Sequence, residues 1–352
     1  MTTDELSRFT ESLGMGARIA RQMQGLAMKR RNRALPELPP EDFGKKNWAA
    51  LREQVSVPNL EIVDRVVSPE DGFARYVFRG KDDQLFESVR IPLMHRPGDE
   101  KYIVCVSSQV GCSAACAFCE TGKMGFKRNL EIWEIVDQVV KVQEDSQFPV
   151  RGIVFMGMGE PMLNYERVMK AAKIMTEPAG LAIDGKAITI STVGIVPGIR
   201  RFIADNPSFR LILSLTSAVP ERREELLPIT KMYNHDKLIQ VLREYHEATG
   251  KRVPLAWTVI SGVNTGEDEA IALAKWLGDL PVMIDLIPVN DATGRFKRAS
   301  HDELQQFLNH LRLHVKQPIV CRYSGGFDIG GACGMLAGQN RMTQNSSATL
   351  PN

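Results

Sequence analysis

From residue 101 onward the chain alternates two rhythms of apolar residues. Short apolar runs at 102–107, 152–157, 187–192, 210–216, 253–260, 281–288 and 318–323 have the length of buried strands. Between them, stretches at 130–144, 164–176, 235–248, 267–278 and 302–315 carry helical spacing. In the first of these, Ile132, Ile135, Val136, Val139 and Val140 share one face. Strands alternating with helices predict an α/β fold: a parallel sheet with right-handed crossovers, closed or partly closed into a barrel. Upstream the pattern changes. Residues 59–93 alternate apolar and polar positions (Val63, Tyr76, Val77, Phe78, Val89, Ile91), which predicts short antiparallel strands. Residues 3–33 predict a charge-rich helical segment, Pro36, Pro39 and Pro40 a linker, and residues 41–54 a helix around Trp48. The polar tail from Asn340 predicts disorder. The expected division is a helical accessory domain over 1–58, a β extension over 59–100, the barrel with its C-terminal loop over 101–339, and the tail over 340–352.

Composition narrows the class. With 43% hydrophobic and 24% charged residues among 352, the chain has enough apolar material for a sizeable core. No apolar run approaches the roughly 20 residues of a membrane helix. The acidic N-terminal run MTTDELSRF does not resemble a secretory signal, so a cytoplasmic protein is expected. Net charge is only +2, so any nucleic-acid contact must come from local basic clusters. Two stand out: Lys29, Arg30, Arg31 and Arg33, and then Lys123, Lys127 and Arg128. Nothing in the sequence demands an oligomer, so a monomer is expected.

In barrels of this kind chemistry gathers in loops at the C-terminal ends of the strands. Those loops hold the unusual residues: GCSAACAFC at 111–119, GMGEP at 157–161, STVG at 191–194, SLTS at 214–217, PVN at 288–290 and a glycine-rich stretch at 324–338. Cys112, Cys116 and Cys119 form C-x3-C-x2-C. Clustered thiols in a reducing compartment point to a metal or catalysis rather than a disulfide framework. Three soft ligands suit an iron–sulfur cluster, whereas a closed zinc site needs a fourth. A [4Fe–4S] cluster held by three thiolates keeps one iron open for the amino and carboxylate groups of S-adenosylmethionine. Glu160 offers a carboxylate to that ammonium, Ser191, Ser214 and Asn290 offer small polar groups, and Phe118 offers a ring to the adenine. The spacing resembles the radical S-adenosylmethionine superfamily. The cluster alone also permits an enzyme that acts on a protein or small molecule, such as an activase, or a zinc-dependent RNA-binding module.

The longer runs CVSSQVGCSAACAFCETGKMGFKRNL, GIVFMGMGEPMLNY, STVGIVPGI, LILSLTSAVPERREELLPI, LIPVN and GFDIGGACG resemble, in order across residues 75–338, the RlmN/Cfr family of RNA adenine methyltransferases. The resemblance implies a partial (βα)6 TIM-like radical SAM barrel with a small N-terminal helical accessory domain. It implies a [4Fe–4S] cluster on Cys112, Cys116 and Cys119, and S-adenosylmethionine held by Gly159, Glu160, Ser191, Ser214, Leu215, Thr216 and Asn290. It further implies that Cys333 is S-methylated and that Glu87 accepts a proton. Cys105 then resolves the protein–RNA adduct through a Cys105–Cys333 disulfide. The implied substrate is an adenine carbon, C2 or C8, in 23S rRNA and also in tRNA. The implied electron donor is a flavodoxin or ferredoxin. The chain departs from the family pattern at Thr216, where His is usual, at Val193, and in the DATGRFKRAS loop after Asn290. Cys321 matches no family role and is expected to be a buried strand thiol.

Overall fold

The computed structural model describes residues 1–29, 45–94, 97–291 and 293–337. The proline-rich linker, Arg30, Arg31, Arg33 and the tail from Asn340 lie outside the described residues. Three helices open the chain: α1 (Thr3–Ser12), α2 (Ala17–Lys29) and α3 (Lys45–Gln54). The single helical segment expected over 3–33 divides because the chain turns at Gly14, whose φ of +74° lies outside the helical region. Thr2 and Glu5 cap α1 reciprocally, each side chain accepting from the other's backbone. Leu6, Met15, Met23, Trp48 and Leu51 form a small apolar cluster of their own. Polar contacts tie it to the body of the protein: Lys170 meets Glu5 at 2.6 Å, and the Thr3 hydroxyl donates to Glu177 at 2.6 Å.

The antiparallel strands β1 (Glu61–Val67), β2 (Ala74–Arg79) and β3 (Leu85–Leu93) follow, and β3 pairs antiparallel with β4 (Lys101–Cys105). After β4 come the short ribbon strands β5 (Gln109–Val110) and β6 (Arg128–Asn129), with α4 (Glu120–Lys123) between them. The βα rhythm then runs through α5 (Ile132–Glu144), β7 (Val150–Phe155), α6 (Tyr165–Thr176), β8 (Ile188–Thr192) and α7 (Val196–Asp205). It continues with β9 (Arg210–Ser214), α8 (Pro220–Leu226), α9 (His235–Thr249), β10 (Val253–Val259), α10 (Glu267–Leu277), β11 (Val282–Pro288), α11 (His301–His314) and β12 (Ile319–Cys321). Ten strands form one sheet in the order β1-β2-β3-β4-β7-β8-β9-β10-β11-β12. Every pairing from β4 to β12 is parallel, and β1 and β12 stand at opposite edges. This is the partial barrel, extended on one side by the antiparallel strands.

Strand periodicity decides what faces inward. Ile153, Ile190, Leu213, Trp257 and Ile284 are buried in one continuous core with the helical residues Val139, Ile174, Phe202, Val241, Leu273 and Phe307. The alternate residues Ser191, Ser214 and Thr258 therefore point into the barrel. Other features also differ from the sequence expectation. Helix α7 was not anticipated, because Pro197 and Gly198 look like breakers. Pro197 instead sits in the first turn, where its missing N–H costs nothing, and Gly198 lets α7 lie against Met162. Cys321 is exposed rather than buried, since β12 is a three-residue edge strand that pairs on one side only among the described residues.

Candidate functional site

The cysteine loop leaves the end of β4 and is held from several directions. Cys119 N–H donates to the Cys116 carbonyl, and Ala117 N–H to the carbonyl of Leu226 at the end of α8. Glu120 N–H donates to the Gly334 carbonyl at 2.8 Å, and the Thr121 hydroxyl to the Leu336 carbonyl at 2.6 Å. The cysteine loop and the glycine-rich C-terminal loop are thus locked to each other. Two glycines let the loop after β7 close in. A Cβ on Gly157 would stand 2.7 Å from the Val106 carbonyl oxygen, and one on Gly159 2.5 Å from Gln109 Cβ. The close neighbour that excludes side chains here is the protein's own backbone after β4. Gln109 reciprocates by accepting from Glu160 N–H at 2.9 Å.

Cys112, Cys116 and Cys119 line one cavity of about 140 Å³ together with Gly159, Glu160, Ser191, Ser214, Asn290, Phe118 and Cys333. Ser191 and Ser214 hydroxyls are 3.4 Å apart. Asn290 donates to the Ser324 hydroxyl at 2.8 Å and the Cys333 carbonyl at 3.1 Å. Glu160 is 3% exposed and accepts from the backbone N–H of Met162 and Val193 at 3.0 and 2.9 Å. Burial still dominates over these bonds and pushes its carboxyl up to about 7. A deeply buried carboxylate with no cationic side chain bonded to it among the described residues suits an incoming ammonium group. Among the described residues no three His, Cys, Asp or Glu side chains converge tightly enough to share one metal ion. A four-iron cluster makes no such demand, because each thiolate binds a separate iron. Burial raises all three thiols in the metal-free chain, Cys112 to about 12, so cluster loading must release protons. Donor set, spacing and buried carboxylate fit a [4Fe–4S] cluster with S-adenosylmethionine.

A second cavity, of about 330 Å³, fills the barrel interior and is lined by Cys105, Val89, Met156, Asp285, Tyr323 and again Cys333. Cys333 alone among the cysteines borders both. Its exposed surface faces these cavities, and burial, followed by the charge of Cys119, pushes the thiol up to about 11. Cys105 is pushed up to about 12 by burial and then by the nearness of Cys333. All six cysteines are free thiols, so the expected Cys105–Cys333 disulfide is not formed in this state.

Glu87 borders neither cavity. It lies on the face of β3 that carries Val89, the residue paired with Cys105, two positions along. Its carboxylate belongs to a buried chain in which Arg75 reaches Glu87 at 3.4 Å and Asp64 at 3.1 Å. Leu215 and Thr216 are fully buried and also stand outside the cavity lining. Thr216 holds a φ of +62°, which is strained for a β-branched residue, and its hydroxyl has no hydrogen-bond partner among the described residues.

Several positions escaped sequence reasoning. Arg223 of α8 is 1% exposed, and its guanidinium donates to the carbonyls of Val193, Ser214 and Leu215, tying together the ends of β8 and β9. Burial lowers its pKa to about 9. In the run PERREELL nothing separates Arg223 from Arg222, which pairs with the exposed Asp268 and the buried Glu269. One expected basic cluster loses a member: Arg128 is bound by Asp82 and Glu134, each at 2.7 Å, so it holds β6 in place. Lys123 pairs with Glu120 at 2.6 Å, and Lys29 donates to the Pro178 carbonyl at 3.4 Å.

Known proteins share this arrangement. Residues 106–277 match the Radical SAM superfamily. A protein of Myxococcus xanthus (strain DK1622) described as a probable RNA methyltransferase is 47% identical over 301 residues, 86% of this chain and 81% of the relative. A probable dual-specificity RNA methyltransferase RlmN of Aquifex aeolicus (strain VF5) is 37% identical over 351 residues, 97% of both chains. The crystal structure of a radical SAM methyltransferase from Sphaerobacter thermophilus superposes with a TM-score of 0.85 at 33% identity, covering 96% of this chain and 98% of that one. The chain belongs to the radical SAM superfamily and, within it, to the RlmN-type methyltransferases.

Proposed function

We propose that this enzyme methylates C2 or C8 of an adenine in RNA, in 23S rRNA and also in tRNA, through an S-methylated Cys333. The observation that carries this reading is the position of Cys333 between two cavities. One holds the cluster cysteines and Glu160, and the other holds Cys105. A thiol so placed can receive a methyl group on one side and present it to a base on the other. When bound, the cluster and S-adenosylmethionine supply the methyl group and the radical chemistry that an electron-poor ring carbon requires.

The chain's own residues do the rest. Cys112, Cys116 and Cys119 hold the cluster. Glu160 takes the ammonium of the cofactor, while Ser191, Ser214 and Asn290 offer hydrogen bonds to its ribose and carboxylate. Gly159, Leu215 and Thr216 shape the surrounding backbone. Asn290 also holds the Cys333 carbonyl, so the cofactor pocket and the reacting thiol are one unit. The family resemblance gives Glu87, oriented by Arg75, as the acceptor of the ring proton as aromaticity returns; it stands beside the lining of the Cys105 cavity, two positions from Val89 on the same strand face. Cys105, as thiolate, attacks the Cys333 sulfur; the S–C bond to the product breaks with its electron pair going to the product carbon, which takes up a proton to become the methyl group, a disulfide forms, and a thiol reductant regenerates both cysteines. A flavodoxin or ferredoxin supplies single electrons. Among the described residues no helix is long and apolar enough to cross a membrane. A monomer working in the cytoplasm is the simplest setting.

The test is transfer of label from methyl-deuterated S-adenosylmethionine into RNA adenine, read by nucleoside mass spectrometry. Wild-type protein is expected to transfer label, and Cys333→Ala to transfer none while retaining its iron. Undiminished transfer by Cys333→Ala would rule out the thiol relay.

A further inference from the structure

The loop between β11 and α11 and the segment leading to Cys333 meet at the rim of the barrel. In the first, Asp291 is turned inward: its carboxylate accepts from Thr293 N–H and hydroxyl at 2.8 and 2.6 Å and from Phe296 N–H at 2.9 Å. With its acid so occupied, the loop presents Arg295, Lys297 and Arg298 to solvent. In the second segment Tyr323 is 76% and Phe327 47% exposed, so two aromatic rings stand at the surface of one short segment. Neither ring is loose. Tyr323 donates to Asp71 at 3.0 Å and packs edge-on against Phe73. Arg298 stacks over Phe327 with its guanidinium carbon 4.9 Å from the ring centroid. The same guanidinium donates to the Val289 carbonyl at 3.2 Å and to the Asn290 side chain. Asn290 in turn holds the Cys333 carbonyl. Packing within the fold explains the anchoring of these rings but not why their faces are left in water.

We propose that Phe327, backed by Arg298 and flanked by Tyr323, is a stacking platform for an unpaired stretch of RNA, and that Arg295 and Lys297 hold its phosphates. This rests on the RNA reading above and adds where the strand lies and in what form it is recognised. An adenine carbon can reach Cys333 only if the base has left its duplex stack, so its neighbours also need new stacking partners. Aromatic faces beside a cationic groove accept any base and favour single strands.

The experiment uses cluster-loaded protein and a fluorescent RNA hairpin with an unpaired loop adenine, alongside a fully paired duplex of the same length. Wild type is expected to bind the hairpin more tightly than the duplex. Phe327→Ala should weaken hairpin binding by roughly tenfold or more, Phe327→Trp should restore it, and Lys297→Gln should flatten its salt dependence. Phe327→Leu keeps apolar volume without an aromatic face and should bind as weakly as Phe327→Ala. Iron content per chain should match wild type throughout. Wild-type protein that bound neither RNA would overturn the RNA reading itself. Wild-type binding with an unaffected Phe327→Leu or Phe327→Ala would overturn the platform and leave that reading standing.

Discussion

Glu160 illustrates how one residue's environment fixes its chemistry. Its carboxyl is pushed up to about 7 by burial, although two backbone N–H groups stabilise the charged form. A cofactor ammonium needs the carboxylate, so binding must displace a proton whenever the pH lies below that value. S-adenosylmethionine affinity should therefore rise with pH up to about 7 and level off above it. Below that value it should weaken by up to about tenfold per pH unit. Calorimetric titration of cluster-loaded protein at pH 6 and pH 8 would measure this, and equal affinities would mean that Glu160 does not hold the ammonium. The sequence was informative about this residue's identity, because a glutamate after two glycines at a strand end is conspicuous. Its neighbours were less legible. Arg223 and Arg222 are adjacent in the chain, yet one is wholly buried on three carbonyls and the other, half-buried, pairs with the exposed Asp268 and the buried Glu269. Helix rotation against the barrel separates them, and rotation is not a local property.

At the scale of elements, the site depends on how closely the loop after β7 approaches the loop after β4. Gly157 sets that approach, since a Cβ there would meet the Val106 carbonyl carbon and oxygen at 2.8 and 2.7 Å. Backbone cannot yield as a flexible side chain would. Gly157→Ala should cost about 1–3 kcal/mol in urea unfolding and weaken S-adenosylmethionine binding to the cluster-loaded protein, because the displaced loop also carries Glu160. Wild-type stability in that variant would mean that the loops have slack. Strand positions were readable from the sequence because parallel strands buried on both faces leave continuous apolar runs. Helix α7 was not, because proline and glycine signal a turn unless the first turn and a close helix contact use them. Arg128 was misread for a related reason: a basic residue near basic neighbours suggests a surface patch, and only the fold brings Asp82 and Glu134 to it.

At the scale of the whole molecule, the N-terminal helices bury an apolar cluster of their own and meet the barrel through polar contacts such as Lys170 with Glu5 and through Met28, which packs against the main core. Trp48 is 2% exposed at the centre of that cluster. Trp48→Ala should destabilise the N-terminal unit by about 3–5 kcal/mol while leaving cluster content and S-adenosylmethionine binding unchanged. Paired measurements of iron per chain and of proteolysis within residues 1–58 would check this, and lost iron would mean that the two parts fold as one. What the sequence determined by itself was the alternation that makes a partial barrel and the C-x3-C-x2-C thiols at a strand end. Both are encoded in neighbouring residues, through strand and helix periodicity and through spacing along one loop. The tertiary structure alone decided that Cys333, more than two hundred positions after the cluster, borders both cavities. It also decided that Arg75 bridges Asp64 and Glu87, and that Arg298 backs an exposed Phe327. These are contacts between distant segments, fixed by strand order and the closing of the C-terminal loop, and no local pattern of apolar and polar residues carries that information.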